Sequence, residues 1–299
     1  MADKDPIKEI AAVLPTVWAE QLHQLQKSLL DTVEEIRMRR GYPATVLFSG
    51  GEYPLGESSV TEADLREVLE RATQASAHTA LEQVKRGFVT LKGGHRIGLC
   101  GTVSRKNDET LTLRHLSSLS LRIARAINGQ ADELLPKLTE NGRFCSTLIL
   151  GPPGSGKTTL LRELICALSD GNGIKTHRVG VADERGEIAA MWQGEPQFSV
   201  GRQTDVLDGS PKAEGMSILL KAMNPQVLAV DEITHPDDVV AVVDSAGCGV
   251  ALLATAHAAC LTDLNKRPVY RQLMQEDIFC RAVILHRCGT RRFCTVEVL

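Results

Sequence analysis

Gly151-Pro152-Pro153-Gly154-Ser155-Gly156-Lys157-Thr158 fills every fixed position of the phosphate-loop pattern G-x-x-x-x-G-K-[ST]. The apolar run Thr147-Leu148-Ile149-Leu150 precedes it, and leucines at helical spacing follow between Thr159 and Leu168. Strand, loop and helix in that order are what phosphate chemistry needs. The glycines let backbone N–H groups close around phosphate, and the helix N-terminus adds positive potential. In this frame residues Gly151 to Thr159 bind ATP, Lys157 reaches the β and γ phosphates, and the Thr158 hydroxyl ligates Mg²⁺. The competing reading is a chance glycine-rich turn, and the flanking strand and helix argue against it.

Further along, Val227-Leu228-Ala229-Val230 runs into Asp231-Glu232. An apolar strand that delivers an acid at its C-terminal end is the partner a phosphate loop requires. Asp231 is the candidate for the Mg²⁺ shell, and Glu232 the candidate base that activates the attacking water. Side chains of neighbouring strand residues point to opposite faces, so the two acids can do different jobs. The glutamate also marks a hydrolase rather than a kinase. Two more strand ends flank this pair. Val179-Gly180-Val181-Ala182 leads into Asp183-Glu184-Arg185, with Glu187 close behind, and Leu252-Leu253-Ala254 leads into Thr255-Ala256-His257. Ligands of open α/β sheets sit at that edge. Thr255 or His257 can sense the γ-phosphate, and Glu184 and Arg185 can meet Mg²⁺-bound water or a neighbouring subunit. The plainer reading makes them solvated charges and polar strand ends.

The elements that must position these residues follow from periodicity. From Cys145 onward, short apolar runs alternate with helical stretches, the pattern of a mostly parallel sheet with helices on both faces. Before it, Asp5-Pro6 opens a helix that Pro15 breaks, Leu22, Leu25 and Leu29 continue a helical stripe, and Glu35 to Arg40 alternates as a strand. Thr61 to Asp64 forms a capping box, Leu81 and Val84 sit on a further helical piece, and two runs about Lys92-Gly93-Gly94 form a hairpin. The expected organisation is α/β throughout: a mixed α/β N-terminal domain with hairpins over 1–140, then a P-loop NTPase domain over 141–299. Pro136 to Arg143 reads as the linker.

Composition bounds the answer. Of the 299 residues, 43% are hydrophobic and 24% charged, which excludes a disordered, collagenous or coiled-coil chain. Net charge is -3, which argues against a bulk nucleic-acid binder. That average hides a basic segment: Lys85 to Arg125 holds nine basic residues and two acids, offset by acids in the flanking helices. Such a segment fits a subunit interface facing ATP or an acidic partner. The stretch Val239 to Leu261 carries Asp244, His257 and two glycines, so it reads as a helix and a buried strand rather than a membrane span. The polar start of the chain lacks a signal-peptide pattern. Eight cysteines without a C-x-x-C pair read as reduced thiols, and the spacing of Cys280, His286, Cys288 and Cys294 does not suit zinc.

Taken together, these residues resemble the stage III sporulation protein AA family, which is related to type II and type IV secretion ATPases. The resemblance rests on Glu35 to Arg39, Gly87 to Gly101, Ser117 to Arg125, the phosphate loop, Val181 to Ile188, Val227 to Ile233, Ala254 to Ala258, and above all Thr204 to Gly215 (TDVLDGSPKAEG). It implies a RecA-like ATPase domain of the AAA+/RecA-like class behind a smaller domain, and hexamers with ATP between subunits. It further implies a cytoplasmic chain at the inner membrane face on the mother-cell side, working with membrane proteins of the stage III sporulation A channel complex. By the same resemblance Asp183, Glu184 and Glu187 match an acidic box, His257 a histidine box, and Arg122 and Arg125 complete the site. Where the family pattern reads Gly-x-Arg-Thr-Asp, this chain has Gly201-Arg202-Gln203-Thr204-Asp205, with the arginine one place early.

Two functions compete with a channel motor ATPase. A nucleic-acid-stimulated ATPase would use the same core, but a stacking platform wants aromatics, and Phe88 alone lies in the basic segment. A nucleotide-gated scaffold with slow turnover needs no different residues.

Overall fold

The structure, a computed structural model, describes residues 5–48, 50–73, 87–106, 109–124, 131–288 and 291–299. The helical piece at Leu81 and Val84 lies outside them, as does Arg125. By its contacts the chain forms two units, one of residues 1–125 with 190–197 and one of residues 126–189 with 198–299.

The first unit is a six-stranded antiparallel sheet in the order β3-β2-β1-β6-β5-β4. Its strands are β1 (Glu35–Arg39), β2 (Pro43–Phe48), β3 (Gly51–Ser59), β4 (Phe88–Thr90), β5 (Arg96–Lys106) and β6 (Glu109–Arg122). The expected alternation holds in β1: Ile36 and Met38 are fully buried, while Arg37 pairs with Glu35 and Arg39 with Glu52 on the other face. Helices Pro6–Ala11, Thr16–His23 and Glu62–Ala72 cover the buried face through Ile10, Trp18, Leu22, Leu65 and Val68, with Leu14 added from the turn between the first two. Asp5 caps the first helix by accepting from the N–H of Ile7 at 3.1 Å, with Pro6 at the first helical position. Thr61 and Asp64 form the reciprocal capping box. The helical stripe through Leu29 is broken in two, Thr16–His23 and Lys27–Leu30.

The second unit is built on a seven-stranded sheet in the order β11-β10-β12-β13-β9-β14-β15. Its strands are β9 (Thr147–Leu150), β10 (Val179–Asp183), β11 (Thr204–Asp208), β12 (Val227–Val230), β13 (Ala251–Ala256), β14 (Arg281–Cys288) and β15 (Arg291–Val298). All neighbours are parallel except β15, which returns antiparallel on β14. Every residue of β9, β10 and β12 is buried, as a sheet covered on both faces requires. Parallel order with crossover helices puts the C-terminal ends of β9, β10, β12 and β13 on one edge, and every site residue named above in this unit lies at or after one of them.

Residues read as linker belong to this unit. Ala131–Leu134 and Leu135–Leu138 are short helical turns that bury Leu134, Leu135 and Leu138, followed by the small β7–β8 pair (Thr139–Glu140 and Arg143–Phe144). Arg281 fastens them to β14 by donating to the Lys137 carbonyl and the Glu140 carboxylate. Among the described residues no helix is long and apolar enough to cross a membrane.

Candidate functional site

The phosphate loop leaves the buried end of β9 and enters the helix Lys157–Asp170. Gly154 (φ 72°) and Gly156 (φ 102°) take left-handed backbone that other residues rarely adopt; the pattern fixes glycine at Gly156, and this loop's own conformation calls for it at Gly154 as well. Gly156 caps the helix without any side-chain hydrogen bond, so the first-turn N–H groups are left for an anion. The Ser155 hydroxyl is buried and has no hydrogen-bond partner, a polar atom that a phosphate oxygen in the loop could satisfy. A Cβ on Gly151 would lie 2.4 Å from that hydroxyl, so the loop tolerates no side chain there.

Lys157 is buried beneath this loop. Its ammonium donates to the carbonyls of Gly151 (2.9 Å) and Pro152 (3.1 Å) and to Nδ1 of His257 (3.0 Å). Burial lowers its pKa, opposed by the charges of Glu232 and Asp231. Because an ammonium only donates, His257 Nδ1 accepts, and Nε2 carries the proton it shares with Glu232 Oε1 at 2.9 Å. Tyr270, buried under the sheet edge, accepts the backbone N–H of His257 at 3.1 Å and holds that residue in place. Lys157, His257 and Glu232 are thus one hydrogen-bonded chain.

Asp231 stands next to it. One carboxylate oxygen accepts from the Thr158 hydroxyl (2.8 Å), the other from the Thr255 hydroxyl (2.7 Å) and the Glu232 N–H (3.0 Å). The Glu232 N–H is also 2.8 Å from Thr255 Oγ1. The apolar run predicts that Asp231 and Glu232 continue its strand. Instead β12 stops at Val230, and Glu232 has φ 26°, left-handed backbone for a residue with a side chain. That turn, rather than strand alternation, sends the two acids in different directions. Strain of this kind costs about 1–3 kcal/mol and persists where surrounding bonds overdetermine it, here those to Asp231 and Thr255.

The segment after β10 is held just as firmly. Asp183, 2% exposed, accepts from the N–H groups of Glu187 (2.9 Å), Ile188 (3.2 and 3.1 Å) and Ala189 (2.9 Å). Burial pushes its carboxyl up, those N–H bonds pull it back, and the Asp231 charge adds to the rise. Arg162, from the phosphate-loop helix, donates to the carbonyls of Ile188 (2.6 Å) and Glu187 (2.8 Å), with its guanidinium over the Phe198 ring. Asp183 therefore staples the 183–189 loop, and Glu184, Arg185 and Glu187 line the cleft that Asp231 and Glu232 also line. We expect Asp183→Asn, which keeps one acceptor oxygen and turns an amide toward N–H donors, to destabilise the chain by about 3 kcal/mol. An unchanged urea midpoint would show that the staple contributes nothing.

A family model described as Sporulation stage III, protein AA matches residues 4–293. This chain belongs to that family. It is 38% identical over 282 residues to stage III sporulation protein AA of Bacillus subtilis (strain 168), covering 94% of this chain and 91% of the relative. In structure it is similar to the pilus retraction motor PilT with bound ADP, with a TM-score of 0.60 and 17% identity over 89% of this chain and 79% of that one. It is also similar to the ATPase DotB of Legionella pneumophila, with a TM-score of 0.57 and 14% identity over 89% of this chain and 76% of that one. The second unit of this sporulation stage III protein AA family member is accordingly RecA-like.

Of the candidates in this family member, the phosphate loop, Thr158, Asp231, Glu232, Thr255 and His257 meet through direct hydrogen bonds. Thr159 is half-buried in the first helical turn, and Pro152 and Pro153 form the exposed rim of the loop. Arg122 ends β6 in the first unit, exposed and 3.6 Å from Glu35. Arg202, 82% exposed, lies 3.3 Å from Asp170 at the end of the phosphate-loop helix. Sequence reasoning missed Arg162, Tyr270 and Lys212 as parts of this network. Arg162 carries no signal that separates it from the other charges of its helix, Glu163 beside it among them. The TDVLDGSPKAEG run held Lys212, but only as a mark of resemblance.

Proposed function

We propose that this chain is a Mg²⁺-dependent ATPase, a RecA-like motor that assembles as a homohexamer and powers the channel apparatus between mother cell and forespore. Its place would be the cytoplasmic face of the membrane, beside membrane proteins of the stage III sporulation A complex. The observation that carries the enzymatic part is the linked pair of contacts, Thr158 to Asp231 and Lys157 to His257 to Glu232. The sporulation setting is supported by the Bacillus subtilis relative and its name.

The residues fit the groups this reaction needs. A hydroxyl and a carboxylate held together at 2.8 Å are hard oxygen donors suited to Mg²⁺, so Thr158 and Asp231 would hold it. When bound, the ion offsets charge on the β and γ phosphates. The glycine-rich loop and the Ser155 hydroxyl grip the phosphates. Lys157 exchanges its loop carbonyls for phosphate oxygens. Glu232 takes a proton from water as the water oxygen bonds to the γ phosphorus, the bond from that phosphorus to the β–γ bridging oxygen breaks, and ADP and phosphate leave. His257, bonded to both Lys157 and Glu232, is placed to report whether the γ-phosphate is present.

Phosphate release by the purified full chain tests the reading. We expect turnover that EDTA abolishes, and a hexameric mass by light scattering with ATP and Mg²⁺. Absence of Mg²⁺-dependent phosphate release would overturn the enzymatic part, and a monomer under every condition would overturn the ring.

A further inference from the structure

Lys212 is placed where local rules disfavour it. It is the first residue of the helix Lys212–Met223, its side chain is 8% exposed, and no side chain caps that helix. A cation at a helix N-terminus opposes the helix dipole, and burying an ammonium costs several kcal/mol unless it is paired. The fold nonetheless brings it in closely. Three residues on, and so on the same helix face, Gly215 packs against the end of β10: a Cβ there would lie 3.1 Å from the Ala182 Cβ. The Pro-Lys-x-x-Gly portion of the unusual TDVLDGSPKAEG run is thus a device for driving one lysine into the cleft.

Its partners say what it does there. Lys212 Nζ lies 3.2 Å from Glu184 Oε2 and 4.0 Å from Asp238 Oδ2. That same Asp238 oxygen accepts the N–H groups of Thr234 and His235, both at 3.0 Å, in the turn that follows Glu232. Lys212 lines one cleft with Glu184, Asp231 and Glu232. Carboxylates that line one cleft repel one another, and without a counter-charge Glu184, already 41% exposed, would turn further to solvent.

We propose that Lys212 is a positioning residue for hydrolysis: it holds the Glu184 carboxylate in the cleft beside Asp231 and Glu232, and through Asp238 ties the Glu232 turn to the 183–189 loop. This rests on the ATPase reading above. Only the lysine of this pair is buried, since the Glu184 side chain is 41% exposed, and an ion pair with one solvent-facing partner contributes little net stability, so a buried lysine built at this local cost is better explained by placement than by folding.

The test is a cycle of Lys212→Met, Glu184→Gln and the double variant in the full chain, with Mg²⁺-ATP turnover, KM and melting temperature read for each. Misplacing a reacting group by about 1 Å costs up to roughly 100-fold. We expect kcat to fall about tenfold or more in each single variant, KM to stay within about threefold, and the double variant to lose no more than the worse single one. Melting temperature should differ little between Lys212→Met and the double variant, because Glu184 in the single variant can turn to solvent, while kcat stays low in both, a split a purely structural role would not give. Wild-type turnover in Lys212→Met, losses that multiply in the double variant, or kcat falling in step with melting temperature would each overturn the proposal. Should Lys212→Met not fold, Glu184→Gln alone decides, and wild-type kcat there overturns it. A wild-type chain without Mg²⁺-dependent turnover removes the ATPase reading instead, and this proposal with it.

Discussion

Glu232→Gln should lower ATP turnover by about two to four orders of magnitude, the range general-base catalysis supplies, while leaving ATP affinity almost unchanged. Glutamine is isosteric with glutamate, and its amide oxygen can still accept from His257 Nε2, as Glu232 Oε1 does at 2.9 Å. The chain through His257 to Lys157 therefore survives, and so does the left-handed turn fixed by the Glu232 N–H on Asp231 and Thr255. What disappears is the carboxylate proposed to take the proton from water. Phosphate release together with binding of a fluorescent ATP analogue separates the two effects. A variant that keeps the full rate would place the base elsewhere. One that loses binding as well would mean that the substitution had disturbed Lys157.

The parts of this site legible in the sequence are those in which one short run carries both the chemistry and its support. The phosphate loop needs glycines at fixed places, a strand before and a helix after, and all three are contiguous from Thr147 to Leu168. Asp231-Glu232 and Thr255-Ala256-His257 were legible because each follows a continuously apolar strand, and parallel topology brings such ends to one edge. Contacts between distant segments were not legible. Nothing near Arg162 announces that it binds carbonyls at 187 and 188, and nothing near Asp183 separates a loop staple from a metal ligand. The same holds for the fold. Strands β14 and β15 went unread because Arg, His and Cys interrupt their apolar positions, although Ala282 to Leu285 is a buried run. β11 went unread because its TDVLD has acids at both ends of the apolar pair, a composition that suits a sheet edge.

Lys157→Ala should remove nucleotide binding itself, and here the resting contacts set the size of the effect. Its ammonium spends its three donors on two loop carbonyls and one imidazole nitrogen. Bound phosphates replace neutral acceptors with charged ones, and each charge-assisted bond is worth about 1.5–3 kcal/mol. Two such bonds correspond to a loss of roughly 10²–10⁴ in ATP affinity. Arginine cannot substitute, because its planar fork does not match two converging carbonyls beneath a closed loop, so Lys157→Arg should fail to rescue binding. The two catalytic-site variants then differ in kind. With Glu232→Gln, calorimetric titration with ATP and Mg²⁺ should still saturate, whereas Lys157→Ala should give no measurable heat at the concentrations that saturate the wild type. Wild-type affinity in Lys157→Ala would mean that the loop backbone and Ser155 alone grip the phosphates, and that the Lys157–His257–Glu232 chain serves only to hold His257.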